Sequence, residues 1–422
     1  MQNRHRQLII LFTLLQVIVL LLFGYTPYPD SDGYWLLARD AIAHNDFYPV
    51  ASELHELPFL WNLGPVNMTV LSLRLFNSIM PLLVLYTLLK GITAYLIYLI
   101  TKKLTHERIA IITLLLYLFY PANYGEATSL LSELPFTALA LTALWLMLNE
   151  KYIIGGALLA FANWFRPMGL VFIIAGILYI IAVRKHIIRR TLSLLAGFII
   201  IIGLIGGSNY LRTGRFMYQA ATGWMALMQY SWDHDSNQTA DKPMFEHYDP
   251  NYISTSYSTD VLQKDSIWRS HFMIWLQHNQ QEYVSQMPMK LIKTYISDNT
   301  AFCAFLPDKN SSKYMYEPLS MEQLKEDFPR LHIVQWLTVF NLLYYYLLLF
   351  TAIIGCMILF RHSSSRNINV IVLCAGIVII GTAVLLFFGH GETRFHIPFM
   401  PFIIILSATA IHHLIYQRKG HE

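Results

Sequence analysis

Apolar residues crowd into ten stretches of the chain, separated by short polar breaks. The stretches are Leu8 to Tyr25, Pro81 to Thr101, Ile109 to Tyr120, Leu134 to Leu148, Tyr152 to Trp164, Met168 to Val183, Thr191 to Ser208, Ile333 to Phe360, Val370 to Phe388 and Ile397 to Tyr416. A helix of about 20 apolar residues crosses roughly 30 Å of hydrocarbon, so several are short for a full crossing. Asn163-Trp164-Phe165-Arg166-Pro167 marks either a break between two spans or a kink in one. The first stretch follows Arg4, His5 and Arg6, a layout that resembles a signal peptide. Phe23-Gly24-Tyr25-Thr26-Pro27 lacks the small residues of a cleavage site, which favours an uncleaved first helix. The pattern predicts an all-α polytopic membrane protein with about ten transmembrane helices, in a range of roughly 8–12.

The polar breaks differ in charge. With the N-terminus inside, the inner loops collect Lys102, Lys103, Arg108, Lys151, Arg184, Lys185, Arg189, Arg190, Arg361 and Arg366, and the tail adds Arg418 and Lys419. Positive residues in short loops stay cytoplasmic, so both termini are expected inside. Four segments then face outward: Thr26 to about Met80, Pro121 to Ser132, Asn209 to Arg330 and Gly389 to His396. The chain reads as an N-terminal membrane core (1–210) whose outer first loop (26–80) is acidic, an extracytoplasmic α-rich insertion (211–331), and C-terminal transmembrane helices (332–422). Helical patterning inside the insertion covers Ile267 to Gln277 and Glu282 to Ile296. No repeat of solenoid or propeller length is present.

Composition sharpens this picture. Of 422 residues, 55% are hydrophobic and 13% charged, about half the charge of an ordinary soluble domain. A soluble globule and a disordered chain are both excluded. Three cysteines (Cys303, Cys356, Cys374) are too few and too scattered for a disulfide framework or a cysteine zinc site. No nucleotide-binding glycine loop is present.

Charges near a bilayer are costly and mark functional candidates. The outer ends of the spans gather Asp30 and Asp32, Glu126 and Glu133, Arg166, and the run His390, Glu392, Arg394 and His396. Each has a structural alternative: Asp30, Asp32 and Glu133 as helix caps, Arg166 and Arg394 as residues reaching for headgroups, Glu126 as a solvated loop charge. Their shared side favours chemistry. A carboxylate beside an alcohol serves as general base, and guanidinium groups clamp phosphate. Clustered acids beside a phosphate also suit a divalent metal ion. A base with a phosphate clamp fits displacement of a lipid phosphate from a sugar.

At these positions the sequence resembles the GT-C superfamily of polyprenyl-phosphate-sugar-dependent glycosyltransferases, above all its protein O-mannosyltransferase-like and aminoarabinose-transferase-like bacterial members. The acidic motif after the first helix is matched by Asp30-Ser31-Asp32-Gly33-Tyr34, and the acidic residue opening a later span by Ser132-Glu133-Leu134-Pro135. Arg166-Pro167-Met168-Gly169 matches the Arg-Pro step. Glu392-Thr393-Arg394-Phe395-His396-Ile397-Pro398 through Pro401 matches the C-terminal motif. The family's Asp-Glu pair is Asp-Ser-Asp here, which leaves the base open between Asp30 and Asp32. The large C-terminal soluble domain of bigger members has no counterpart, and 209–330 matches no motif of the family.

The resemblance implies an inverting transfer on the periplasmic face of a bacterial inner membrane. Asp30 or Asp32 is then the base, Arg166 and Arg394 bind the donor phosphate, and Glu133 and Glu392 orient the acceptor or a metal ion. The implied partners are a polyprenyl-phosphate-linked sugar, an acceptor lipid, protein or glycan, and membrane lipid, with no nucleic acid. A polysaccharide polymerase or ligase is the next reading; it would lean on Arg and His in the large loop. A lipid-linked sugar flippase would show repeats and a site near the midplane.

Overall fold

A computed structural model describes residues 4–51, 61–221, 261–298, 333–362, 364–389 and 391–416, with 223, 224, 227 and 305 besides. Every regular element among them is helical. The N-terminal half runs α1 (Arg4–Phe23), α2 (Pro29–Ala43), α3 (Leu63–Phe76), α4 (Met80–Leu104) and α5 (Glu107–Leu118). Two short 3-10 turns, Pro121–Tyr124 and Glu126–Thr128, lead into α6 (Glu133–Leu148), α7 (Tyr152–Phe165), α8 (Gly169–Val183) and α9 (Ile187–Thr213). The remainder comprises α10 (Val261–His278), α11 (Gln280–Ser285), α12 (Met287–Tyr295), α13 (Ile333–Arg361), α14 (Ser365–Phe388), a 3-10 turn Thr393–Phe399 and α15 (Met400–Tyr416).

All ten apolar stretches are helical, but they are not ten equal spans. Six helical stretches are long and apolar enough to cross a membrane: α1, α4, α9, α13, α14 and Thr393–Tyr416. By contrast α5, α6, α7 and α8 hold 12, 16, 14 and 15 residues. The 3-10 segment Pro121–Thr128 joins α6 at a bend of 112°, a broken or re-entrant span. The apolar α3 lies within the first loop. Local chemistry fixes several ends. Pro167 forces Arg166 into extended backbone (φ −152°, ψ 132°), stopping α7, and Gly214 stops α9 at φ +74°.

Small residues set the closest packing. A Cβ on Gly156 of α7 would lie 1.9 Å from the Leu194 carbonyl oxygen, and one on Gly197 of α9 would lie 1.9 Å from that of Ile153. Gly355 of α13 meets the Leu406 carbonyl of α15 in the same manner, at 2.0 Å. Such contacts supply packing where lipid removes the hydrophobic drive between helices. Large apolar side chains stay exposed around the outside, Leu22 at 73% and Ile188 at 77% among them, as lipid contact requires.

The elements outside the bundle are tied to one of its ends. Arg212, at the end of α9, bonds the carbonyls of Phe47 and Pro49 and the Asp46 carboxylate at 3.0 Å. Burial pushes the Asp46 carboxyl up, but the N–H groups of Ala51 and Phe47, with Arg212, outweigh it and hold it below the usual range. The patterned helices of the insertion are present, and its last turns dock on α14: Lys290 donates to the Leu386 carbonyl at 3.0 Å, and Tyr295 meets the Thr382 hydroxyl at 2.6 Å. His390, Cys303, Arg418, Lys419 and most of the insertion lie outside the described residues.

Candidate active site

Four sequence-distant segments meet where α1 ends, α6 begins, α7 ends and α14 ends. Arg394, in the turn before α15, is buried at their centre. Its Nη1 lies 2.8 Å from Asp30 Oδ2, and its Nε lies 2.6 Å from Glu392 Oε1 and 3.7 Å from Glu133 Oε1. Nη2 donates to Glu392 Oε2 at 3.3 Å. Neither Nε nor Nη1 has an aligned hydrogen bond despite these ion-pair distances. The guanidinium stacks over the Tyr28 ring at 4.9 Å, and Tyr28 donates to Glu392 Oε1 at 3.4 Å.

Arg166 enters from the Pro167 turn. Its Nη1 sits 2.5 Å from Glu133 Oε1 and donates to Ser132 Oγ at 3.2 Å, while Ser132 donates to Glu133 Oε2. Both side chains are buried. Phe395 lies beneath both guanidiniums, 4.7 Å from Arg166 and 5.9 Å from Arg394. Gly169 keeps the turn closed: its N–H bonds Asn163 Oδ1 at 3.0 Å, and a Cβ there would lie 2.8 Å from the Leu159 carbonyl.

Asp30 and Asp32 both occupy the first turn of α2, where the helix dipole favours negative charge; neither caps it, since the N-cap is Tyr28. Two residues along a helix turn by about 200°, so they diverge. Asp30 faces Arg394. Asp32 is exposed, near Tyr25, and among the described residues has no ion-pair partner. Of the six residues to which the resemblance gives a role, the structure gathers Asp30, Glu133, Arg166, Glu392 and Arg394, and leaves Asp32 on another face. Buried Tyr34 lies beside the cluster; its hydroxyl is raised by burial and by the charges of Asp30 and Glu133.

A second polar layer lies under the first. Glu126, expected as a solvated loop charge, is instead buried and paired with Lys90, a buried lysine in the middle of α4. The re-entrant loop explains the correction, since it carries Glu126 inward against the lysine. Lys90 also donates to Asn123 Oδ1 at 2.9 Å. Deeper still, Tyr120 donates to Asp298, His396 Nε2 stands 3.6 Å from Asp298 Oδ1, and Asn341 Nδ2 bonds the Asp298 carbonyl at 3.0 Å. Burial pushes Asp298 up to about 7, against the opposing charge of Lys90. Lys90 was legible as a lone charge inside an apolar span; Asp298 had no motif to mark it. The loop reaches the first-loop acids through Ser129, which donates to the Thr26 carbonyl at 2.8 Å, and through Ser31, which donates to the Leu130 carbonyl at 3.2 Å.

A divalent metal does not fit the donors as arranged. The carboxylates of Asp30, Glu133 and Glu392 converge on guanidinium groups. Among the described residues no group of three or more His, Cys, Asp or Glu side chains could hold a metal ion.

Residues 67–206, about a third of the chain, match the family model described as dolichyl-phosphate-mannose-protein mannosyltransferase. That stretch contains Lys90, Glu126, Glu133 and Arg166. No curated protein sequence matches. Among solved structures, the chain is similar to the apo oligosaccharyltransferase of Archaeoglobus fulgidus, with a TM-score of 0.52 and 12% identity over 99% of this chain and 52% of that one. The same enzyme tethered to an acceptor peptide containing the NVT sequon matches at 0.46 and 12%, over 100% and 51%. The chain therefore spans about half the length of the oligosaccharyltransferase it matches. The chain is thus similar over residues 67–206 to a mannosyltransferase family, and it shares the all-helical membrane fold of the oligosaccharyltransferase.

Proposed function

We propose that this membrane protein transfers a sugar from a polyprenyl-phosphate donor to an acceptor hydroxyl, with inversion, on the periplasmic face of a bacterial inner membrane. The observation that carries the reading is the grip of Asp30 on Arg394 at 2.8 Å, inside a cluster that also holds Arg166, Glu133 and Glu392. Three carboxylates surround two guanidiniums there, so a donor phosphate gains a place only when one carboxylate yields Arg394. Asp30 and Glu392, with 21% and 19% of their side chains exposed, stand on the open side, and of the two Asp30 comes from the separate helix α2. Glu133, 2% exposed, stays with Arg166.

Donor binding thus passes Arg394 from Asp30 to the phosphate and frees Asp30 as the base. Asp30 takes the proton of the acceptor hydroxyl, whose oxygen attacks the anomeric carbon. The bond from that carbon to the phosphate oxygen breaks, and the electron pair leaves with the lipid phosphate. Arg394 and Arg166 meet the growing charge with donors already in place. Glu133 and Glu392 hold the two guanidinium planes.

The test is transfer of radiolabelled sugar from polyprenyl-phosphate donors to an envelope extract. Asp30→Asn lowers turnover by about 10²–10⁴-fold, the span of general base catalysis, while donor binding persists. Asp32→Asn keeps turnover within about ten-fold of wild type. Full activity in Asp30→Asn, or its loss in Asp32→Asn alone, overturns the assignment.

A further inference from the structure

The opposite end of the bundle carries a second site. The 14 residues of α7 separate Arg166 from Lys151 by about 21 Å. At the Lys151 end, the turns entering α7 and α9 enclose an open cavity of about 690 Å³. Lys151, His186, Arg189 and Arg190 line it, with Glu150 as the acidic member. Arg190 is buried, lies 5.3 Å over the Tyr152 ring, and pairs with Glu150 at 2.6 Å; that glutamate is 70% exposed. Lys151 and Arg189 are exposed and aim no ion pair at any described carboxylate. The cavity therefore holds a surplus of positive charge, with one buried guanidinium already fixed in its wall.

Two further features define the occupant. Glu150 (φ +65°), Arg184 (φ +57°) and His186 (φ +45°) all adopt left-handed backbone in the two rim turns, a conformation costly for residues other than glycine. One turn further along, Gly156 and Gly197 hold α7 and α9 in close contact. The α7 side of the cavity is apolar and uncovered, with Ile153 55% exposed and Ile154 53%, and the adjoining first turns of α9 expose Ile188 at 77% and Leu192 at 61%. A free anion needs no such wall. Acyl chains do.

We infer that this cavity binds the phosphodiester headgroup of an anionic phospholipid, its chains lying along Ile153, Ile154, Ile188 and Leu192. Basic pockets between transmembrane helices are suited to such headgroups. Lys151, Arg189 and Arg190 meet the phosphate, and Glu150 competes with it for Arg190.

The test is native mass spectrometry of the detergent-purified full chain, titrated with dioctanoyl phosphatidylglycerol or with dioctanoyl phosphatidylcholine. Wild type retains phosphatidylglycerol in preference to phosphatidylcholine. Each lost cation costs roughly five-fold in affinity, so Lys151→Gln with Arg189→Gln weakens phosphatidylglycerol by about 25-fold. Glu150→Gln moves affinity the other way, by roughly five-fold, a gain that general damage to the fold does not produce. Equal retention of both lipids, or an unchanged double variant, overturns the proposal. Complete displacement by equimolar inorganic phosphate overturns it too, by showing a simple anion site.

Discussion

Lys90→Met tests whether the buried polar layer holds the site together. Lys90 exposes 3% of its side chain and Glu126 10%, and Asn123 is the lysine's only other described hydrogen-bond partner. At an effective dielectric of about 20, unit charges 4 Å apart attract by about 4 kcal/mol. Removing one partner of a buried pair costs about 3–5 kcal/mol, because the other charge remains uncompensated. Lys90→Met should therefore destabilise by about 3–5 kcal/mol, and Lys90→Met with Glu126→Gln should return to within about 1 kcal/mol of wild type. The sum of the two single costs then exceeds that of the double by at least about 2 kcal/mol even before any cost of Glu126→Gln is added, a coupling well above that of independent sites. Thermal unfolding of the detergent-purified protein, with all four species in parallel, measures it. The single variant should also lose transfer activity, since the loop that Lys90 anchors supplies the Ser129 hydroxyl, which donates to the Thr26 carbonyl, and the Leu130 carbonyl, which accepts from Ser31 beside the first-loop acids. A double variant as unstable as the sum of the singles would refute the reasoning.

Other consequences are as direct. Arg394→Ala should cut turnover by about 10²–10³-fold, the usual loss of a preorganised donor to developing charge, read by the same sugar-transfer assay. Arg166→Met leaves buried Glu133 with only the longer 3.7 Å contact to Arg394 and should destabilise by up to about 3–5 kcal/mol; Arg166→Met with Glu133→Gln should recover most of that stability without recovering activity. Gly197→Ala drives a methyl group into the Ile153 carbonyl and should lower the unfolding temperature; a neutral result would show that α7 and α9 separate freely. Asp298 is raised to about 7 from 3.8, so its folded form binds the proton more tightly than its unfolded form. The stability it contributes is full below pH ~4 and is lost as pH rises toward 7, by at most about 4 kcal/mol at 1.36 kcal/mol per unit. Asp298→Asn should raise the unfolding temperature at pH 8 and leave it unchanged near pH 4.

What the sequence revealed follows from cost. Asp30, Glu133, Arg166, Glu392 and Arg394 stood out because charge at a span end is expensive, and the alternation of spans put them on one side. The same reasoning extends to Lys90, which the span-end criterion passed over because it lies inside a stretch; its meaning depends on Glu126, and nothing in local sequence tells a loop that turns inward from one that stays in water. Asp32 read as equivalent to Asp30 because spacing along the chain does not show which face of α2 points at Arg394. Asp298 and Asn341 come together only through tertiary packing across 43 positions. The helices followed hydropathy closely, whereas their status as spans did not: α7 and α8 are as apolar as the longer helices and simply stop early, at Pro167 and near Arg184.

Those short helices set the depth of the chemistry. At 1.5 Å per residue, α7 is about 21 Å long, roughly 9 Å less than the hydrocarbon thickness. A bilayer in contact with it must thin, or the ends of α7 must lie below the headgroups. Arg166 caps one such end, so under the proposed mechanism a donor phosphate reaching it would not climb to the aqueous surface, and an acceptor would descend to meet it. Hydrophobic mismatch therefore couples turnover to acyl-chain length: thin bilayers should open the site to water-borne acceptors, and thick ones should bury it beneath the lipid.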